Sequence, residues 1–484
     1  MSRATLPLFS LLLWTAPLSA QIAPAEYAAR RDTLAARIDS GVVVAFGARD
    51  ETRHYPSFTQ RPAFSYLTGF RAPDAALVMV KRGGRTTGTL FVQPRDARRE
   101  FYTGARVTPE DIARQTGLAA RRNDELASVL DSLARVGLPF WVVGDFESNE
   151  FADADSLSFG AAATRSLRQR FPSLDVRDAT PIVDLMRARK SPAEVALLRK
   201  AIAITDQAHR EAMAFVAPGR AEFEVEALVD YTFRRLGGDR PAYSSIVGGG
   251  PNSTTLHYSE NSRVLRAGDV LVMDVGALYQ GYAADVTRTI PVSGTFSAAQ
   301  REVYRIVRAA QAAGERQVRA GGAAKLEVDS IRAVVARGLA RLGLIESPDA
   351  TFDAPKGFCR GADDVCPQLS LFMPHGPTHG IGLDVHDPAH AYVEPNVFRP
   401  GDAVTIEPGV YVRPGALDML PDTPRNRAFI ARVRPAVEKY RDIGVRIEDD
   451  YLVTETGLER LSKAPREIEE IEAAMRKQAR VISQ

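Results

Sequence analysis

The stretch DVLVMDVGALYQGYAADVTRTIPV (269–292) constrains the fold more than any other part of the chain. Two apolar, β-branched runs flank turn text at 278–281, so the stretch reads as a β-hairpin. Each run carries one aspartate, Asp274 and Asp285. A turn centred between Tyr279 and Gln280 puts the two directly opposite each other, with Cβ atoms about 4.5–5.5 Å apart. Two ionised carboxylates at that distance repel. Either a cation sits between them, or one is protonated or turned to solvent. A metal bridge is the natural answer.

Two more apolar strands carry an acid at the same point. In DAVTIEPGVYV (402–412), Val404 and Ile406 face one side, and Thr405 and Glu407 the other. Pro408 keeps Glu407 extended. In IGVRIEDDYLVT (443–454), Val445 and Ile447 face the core, and Arg446 and Glu448 share the opposite face. Unpaired carboxylates are costly to bury. Four of the seven histidines fall within MPHGPTHGIGLDVHDPAH (373–390), separated by Gly and Pro, so they lie in loop and strand text. Asp274, Asp285, Glu407 and Glu448 with one neutral histidine balance two divalent cations. Such an oxygen-rich set suits Mn²⁺ and tolerates Co²⁺ or Zn²⁺. Two metals about 3.5–4 Å apart can share a water and convert it to hydroxide.

The rest of the chain frames this site. Its 484 residues accommodate two large domains. Lys and Arg number 62 against 60 Asp and Glu, which argues against a dedicated nucleic-acid binder. Residues 1–20 have the pattern of a signal peptide: Arg3, an apolar run from Leu6 to Trp14, and small Ser19 and Ala20 before Gln21. That pattern predicts export to a periplasm or the exterior, with cleavage near Ala20. Export makes a disulfide between Cys359 and Cys366 feasible, against two free buried cysteines. No internal apolar run reaches about 20 residues, so no membrane span is expected. Residues 21–180 alternate short apolar runs (41–48, 75–80, 89–94, 139–144) with helical text, as in an α/β domain. From 190 to 484, long helices (192–216, 222–236, 298–316, 325–343) alternate with hairpins. Ser191 with Glu194, and Ser297 with Gln300, form capping boxes.

The motifs LHYSEN (256–261), MDVGALYQGYAADVTRT (273–289), HGPTHGIGLDVHD (375–387), TIEPGVY (405–411) and GVRIEDD (444–450) resemble those of the pita-bread metallopeptidases, the aminopeptidase P and prolidase family, in order and spacing. EYAARRDTLAARI and FSYLTGF (64–70) resemble that family's N-terminal domain. The resemblance implies an α/β N-terminal domain followed by an α+β pita-bread domain with a curved antiparallel sheet. It implies five metal ligands: Asp274, Asp285, His379, Glu407 and Glu448. Asp285 and Glu448 would bridge both ions, Asp274 would complete one, and His379 with Glu407 the other.

By the same resemblance, Glu407 shuttles a proton to the leaving nitrogen, and His386 steadies the scissile carbonyl as it becomes tetrahedral. His257 and His375 belong to the substrate pocket, His257 also to the catalytic group, and Arg446 stands behind the ligands. The implied substrates are peptides with proline in second position, and the implied assembly is a dimer or tetramer. His54, His209 and His390 receive no role. Residues 345–372, with both cysteines, look like an insertion, and 413–442 is long and rich in Arg and Pro. A prolidase restricted to dipeptides is the alternative within the family. A non-catalytic pita-bread module that binds peptides is the alternative outside enzymes.

Overall fold

The computed structural model describes residues 22–49, 58–144, 159–359, 364–393 and 395–479. The signal-peptide reading, its cleavage near Ala20, and His54 lie outside the described residues.

The N-terminal part is a six-stranded mixed sheet. Its strands are β1 (Gly41–Phe46), β2 (Ala76–Arg82), β3 (Arg85–Val92), β4 (Ala119–Arg122), β5 (Phe140–Val143) and β6 (Val176–Asp178), in spatial order β4-β3-β2-β1-β5-β6. The β1/β2 and β2/β3 pairs are antiparallel, and the other three are parallel. Side chains alternate across a strand, so β1 feeds two cores at once. Val43 and Ala45 pack with Leu34, Leu67 and Val183 on one face; Val42 and Val44 pack with Leu130 and Leu167 on the other. Helices therefore cover both faces, which is the α/β arrangement expected from the sequence.

In the C-terminal part every strand pair among the described residues is antiparallel. One block joins Ile246–Gly249, Val270–Val275 and Val286–Pro291. A second joins Ala403–Ile406 to Asp449–Val453, and Gly409–Val412 to Ile443–Arg446. Hydrogen bonds sew the blocks together: Glu448 N–H donates to Thr287 O (3.1 Å), and Arg446 N–H to Thr289 Oγ1 (3.0 Å). One face of this sheet packs Met273, Val275, Ile406, Val445 and Ile447 against Val303, Val307 and Ile331 of the helices Ala298–Glu315 and Ala324–Leu342. Both capping boxes form, at Ser191/Glu194 and Ser297/Gln300.

The hairpin register differs from expectation. The turn is centred on Gln280–Gly281, both with positive φ (48° and 81°), the requirement of a two-residue type I′ turn. Leu278 then faces Ala283, and Asp274 faces Thr287, not Asp285. The correction moves the pairing by two positions, an even number, so both aspartates stay on one face as diagonal neighbours.

The 345–372 segment forms a small hairpin, Thr351–Asp353 against Val365–Pro367, closed by a Cys359–Cys366 disulfide. It docks on the helix Pro424–Lys439 of the 413–442 stretch. Asp353 N–H donates to Asn426 Oδ1 (3.0 Å), Asn426 returns a bond to Asp353 O (2.8 Å), and Arg425 pairs with the Asp353 carboxylate (2.7 Å). The 345–372 hairpin and the 413–442 stretch thus pack together. No helix of the described residues is long and apolar enough to cross a membrane.

Candidate metal centre

The acids occupy breaks in the strands. Asp285 falls between Tyr282–Ala283 and Val286–Pro291, Glu407 between Ala403–Ile406 and Gly409–Val412, and Glu448 between Ile443–Arg446 and Asp449–Val453. Each kink turns a carboxylate toward a common point, where Asp274 arrives from near the end of Val270–Val275. A fourth segment supplies the histidine. Residues 377–381 run against 403–407: Glu407 N–H donates to Pro377 O (2.7 Å), Thr405 N–H to His379 O (2.8 Å) and Ile381 N–H to Ala403 O (3.0 Å).

His379 Nε2 stands 3.6 Å from each of Asp285 Oδ2, Glu407 Oε1 and Glu448 Oε1. These distances are too long for hydrogen bonds. His379 Nδ1 lies 2.9 Å from Gly380 O, which assigns the ring proton to Nδ1 and leaves the Nε2 lone pair facing three carboxylates. Donor atoms about 2.1 Å from a shared ion stand roughly 3–3.6 Å apart. Asp285, His379 and Glu448 together present donors all within 4.8 Å of one another. Glu448 Oε1 is buried with no hydrogen-bond partner among the described residues. Burial, then the charges of Glu448 and Asp274, push the Asp285 carboxyl well above its usual range. An orphaned carboxylate oxygen, a lone pair aimed at anions and mutually repelling acids all fit a divalent cation.

Asp274 is compensated differently. Burial raises it, but Arg446 and Tyr243 more than reverse this, so its carboxyl is held below the usual range. Arg446 Nη2 donates to Asp274 Oδ2 at 2.5 Å, and Arg446 Nη1 to Tyr411 Oη at 2.8 Å. His375 continues the chain. Its Nδ1 lies 2.8 Å from Gly376 O and its Nε2 2.9 Å from Tyr411 Oη, so both nitrogens are engaged. Burial, with Arg446 nearby, lowers its pKa to about 3, and it stays neutral. His386 is exposed, with its ring 4.2 Å from that of His379, centroid to centroid. His257 is exposed on the rim, next to Leu256, whose carbonyl accepts from Arg446 (3.3 Å). All nine residues singled out from the sequence therefore surround one point.

Comparison with known proteins identifies the family. The profile of Metallopeptidase family M24 matches residues 196–455, and that of the aminopeptidase P N-terminal domain matches residues 27–137. The chain belongs to metallopeptidase family M24. It is a hydrolase, a metallo-exopeptidase working with divalent metal, built as an aminopeptidase P-type N-terminal domain followed by a pita-bread domain. It is similar to the Xaa-Pro aminopeptidase of Escherichia coli (34% identical, covering 95% of this chain and 100% of that one). Xaa-Pro aminopeptidase 1 of Streptomyces coelicolor is 33% identical over 93% of this chain and 87% of its own. Among solved structures, E. coli aminopeptidase P with the inhibitor Pro-Leu superposes with a TM-score of 0.77 at 32% identity, covering 95% of this chain and 100% of that one.

Three residues of this M24 centre escaped the sequence reading. Tyr243 Oη lies 2.6 Å from Asp274 Oδ1 and 2.5 Å from Asp285 Oδ1, tying the diagonal pair together. Thr287 Oγ1 donates to Glu448 Oε2 (2.7 Å). Asp450 Oδ2 accepts from the Asp285 backbone N–H (3.1 Å). Thr287 and Asp450 stand inside quoted motifs. Tyr243 stands in RPAYSS, where nothing signals a role. His209 and His390 are structural: His209 donates from Nε2 to Val286 O (2.9 Å), and His390 from Nδ1 to Asp402 (2.7 Å).

Proposed function

We propose that this chain is an exported aminopeptidase that hydrolyses the bond between the first residue of a peptide and a proline in second position. Asp274, Asp285, His379, Glu407 and Glu448 would hold two divalent ions, Mn²⁺ foremost with Co²⁺ or Zn²⁺ as substitutes. Asp285 and Glu448 would serve both ions. The carrying observation is His379 Nε2 at 3.6 Å from three carboxylates, in a chain similar along its length to Xaa-Pro aminopeptidases. When bound, the ions supply Lewis acidity, polarising the scissile carbonyl and making water acidic enough to attack near neutral pH.

The protein's own groups do the rest. Glu407 is partly exposed, so its carboxylate accepts a proton from the attacking water and delivers it to the proline nitrogen. That nitrogen has no hydrogen of its own and needs one to leave. His386, at the mouth, donates a hydrogen bond to the carbonyl oxygen as negative charge develops there. His257 touches substrate from the rim and assists at the reacting centre. His375 lines the pocket and braces Tyr411, while Arg446 holds Asp274 as an anion.

Export is supported by the N-terminal pattern and by the Cys359–Cys366 disulfide, since disulfides persist in oxidising compartments. Phe101 is almost fully exposed and Tyr102 largely so on the helix Ala97–Thr103, which supports assembly into a dimer or tetramer. The test compares an Xaa-Pro dipeptide with an Xaa-Pro-Xaa tripeptide, using Mn²⁺-loaded mature protein of measured metal content. Preference for the tripeptide is expected. Cleavage of the dipeptide alone would make the protein a prolidase. Cleavage of neither, with metal bound, would remove the proline specificity.

A further inference from the structure

The loop that presents His386 is locked from outside the catalytic sheet. Asp387 N–H donates to Gly380 O (2.9 Å), Gly382 N–H to Asp384 O (3.0 Å), and Asp384 N–H to Asp387 Oδ1 (3.1 Å). The Asp387 carboxylate is thereby folded back under its own loop. A Cβ on Gly382 would lie 2.5 Å from Asp387 Oδ2, so a larger residue there would have to displace the Asp387 carboxylate.

Two cations reach this loop from the segment that joins the domains. Lys190 Nζ donates to Asp387 Oδ2 (2.7 Å), Pro388 O (3.0 Å) and Arg187 O (2.9 Å). Arg187 pairs with Asp387 and, at 2.8 Å, with Asp384 Oδ2. Arg187, Lys190 and Asp387 side chains are 1–2% exposed. Arg187 comes from the helix Thr180–Ala188, and Lys190 directly precedes the capping box at Ser191.

Such a cluster is a poor way to gain stability. A buried ion pair is commonly no better than apolar packing of the same volume. Here Arg187 Nε and Nη1 also lack an acceptor among the described residues, an added cost. What the cluster does supply is direction. It fixes both ends of the loop whose exposed residue is His386.

We propose that Arg187 and Lys190 are positioning residues for His386, so that the interdomain segment sets the aim of the group over the scissile carbonyl. The inference rests on the role given to His386 above. A shift of about 1 Å at such a group can cost on the order of 100-fold in rate.

The test is a double-mutant comparison on the full, metal-loaded protein. Asp384→Asn removes one tie at a side chain that is 29% exposed, so the fold is retained. Arg187→Lys keeps the charge and removes the fork. Each is made alone and with His386→Ala. Alone, each is expected to lower kcat about tenfold with KM within twofold, and with metal content and Tm unchanged. With His386→Ala, neither is expected to lower kcat further, because residues acting through one group are non-additive. Imidazole ¹⁵N spectra of the metal-free protein should show the His386 signals shifted or broadened in Asp384→Asn. Equal losses in both backgrounds, or an unchanged kcat in folded single variants, would overturn the inference. Full activity of His386→Ala alone would instead remove the reading of His386, and the inference with it.

Discussion

Asp285 is where the charge balance of the centre turns. It sits at a strand break, shares Tyr243 with Asp274, and faces Glu448 across His379. Burial and its two acidic neighbours raise its proton affinity above the ordinary value of 3.8. A carboxyl raised on folding stabilises the fold fully below its unfolded pKa, and that contribution is lost as pH rises through the folded value. Without metal, the wild-type protein should therefore lose stability as pH rises above the ordinary carboxylate range. Asp285→Asn removes both the titration and the repulsion. Metal-free Asp285→Asn is expected to melt at or above metal-free wild type at pH 8, and to gain no Tm from added Mn²⁺. Wild type should gain several degrees, since a ligand that binds only the native state stabilises it. Thermal melts with and without chelator check this. A variant still stabilised by Mn²⁺ and fully active would remove Asp285 from the ligand set.

At the scale of elements, legibility followed the strength of local physics. Helix starts were readable because capping boxes are local: Ser191 with Glu194 and Ser297 with Gln300 both form as written. β1 was readable as a continuous apolar run buried on both faces. The hairpin turn was misjudged by one residue because the choice rests on which two positions take positive φ, and Gln280 gives no sign of it. Period two preserved the shared face of Asp274 and Asp285, so the site survived the error. Tyr243 was illegible because its partners are 31 and 42 positions away. The docking of 345–372 on 413–442 was illegible for the same reason. Closing the Cys359–Cys366 loop is worth about 2–3 kcal/mol in the chain-entropy picture. Replacing both cysteines by serine should therefore raise amide exchange across 351–367 by one to two orders of magnitude and leave 270–291 unchanged. Mass-spectrometric exchange checks this, and uniform loosening of both segments would show that the module is not an independent unit.

On the scale of the whole molecule, the question is why an N-terminal domain that supplies none of the five proposed ligands is bonded so firmly to the catalytic one. The capping-box residue Glu194 has three tasks. It caps its own helix through Ser191 N–H (2.9 Å), accepts from Tyr282 Oη (2.9 Å), and pairs with Arg30 of the first helix (3.2 Å). Tyr282 stands three positions before Asp285, so this joint grips the hairpin of the metal centre, as Arg187 and Lys190 grip the His386 loop. Arg30 also donates to Tyr66 O (3.2 Å) and lies 4.2 Å over the Tyr66 ring. Removing one partner from a buried pair costs about 3–5 kcal/mol, because the other charge is left unpaired. Here that partner is Glu194, which keeps its bonds to Ser191 and Tyr282, so the catalytic domain should stay folded while the joint weakens. Calorimetry of metal-loaded wild type is expected to show one transition. Arg30→Met is expected to split it, with the N-terminal domain melting first and the metal-dependent transition barely moved. Rigid coupling through this joint would be disproved by a single, unshifted transition in the variant. The ligands would then owe their geometry to the pita-bread sheet alone.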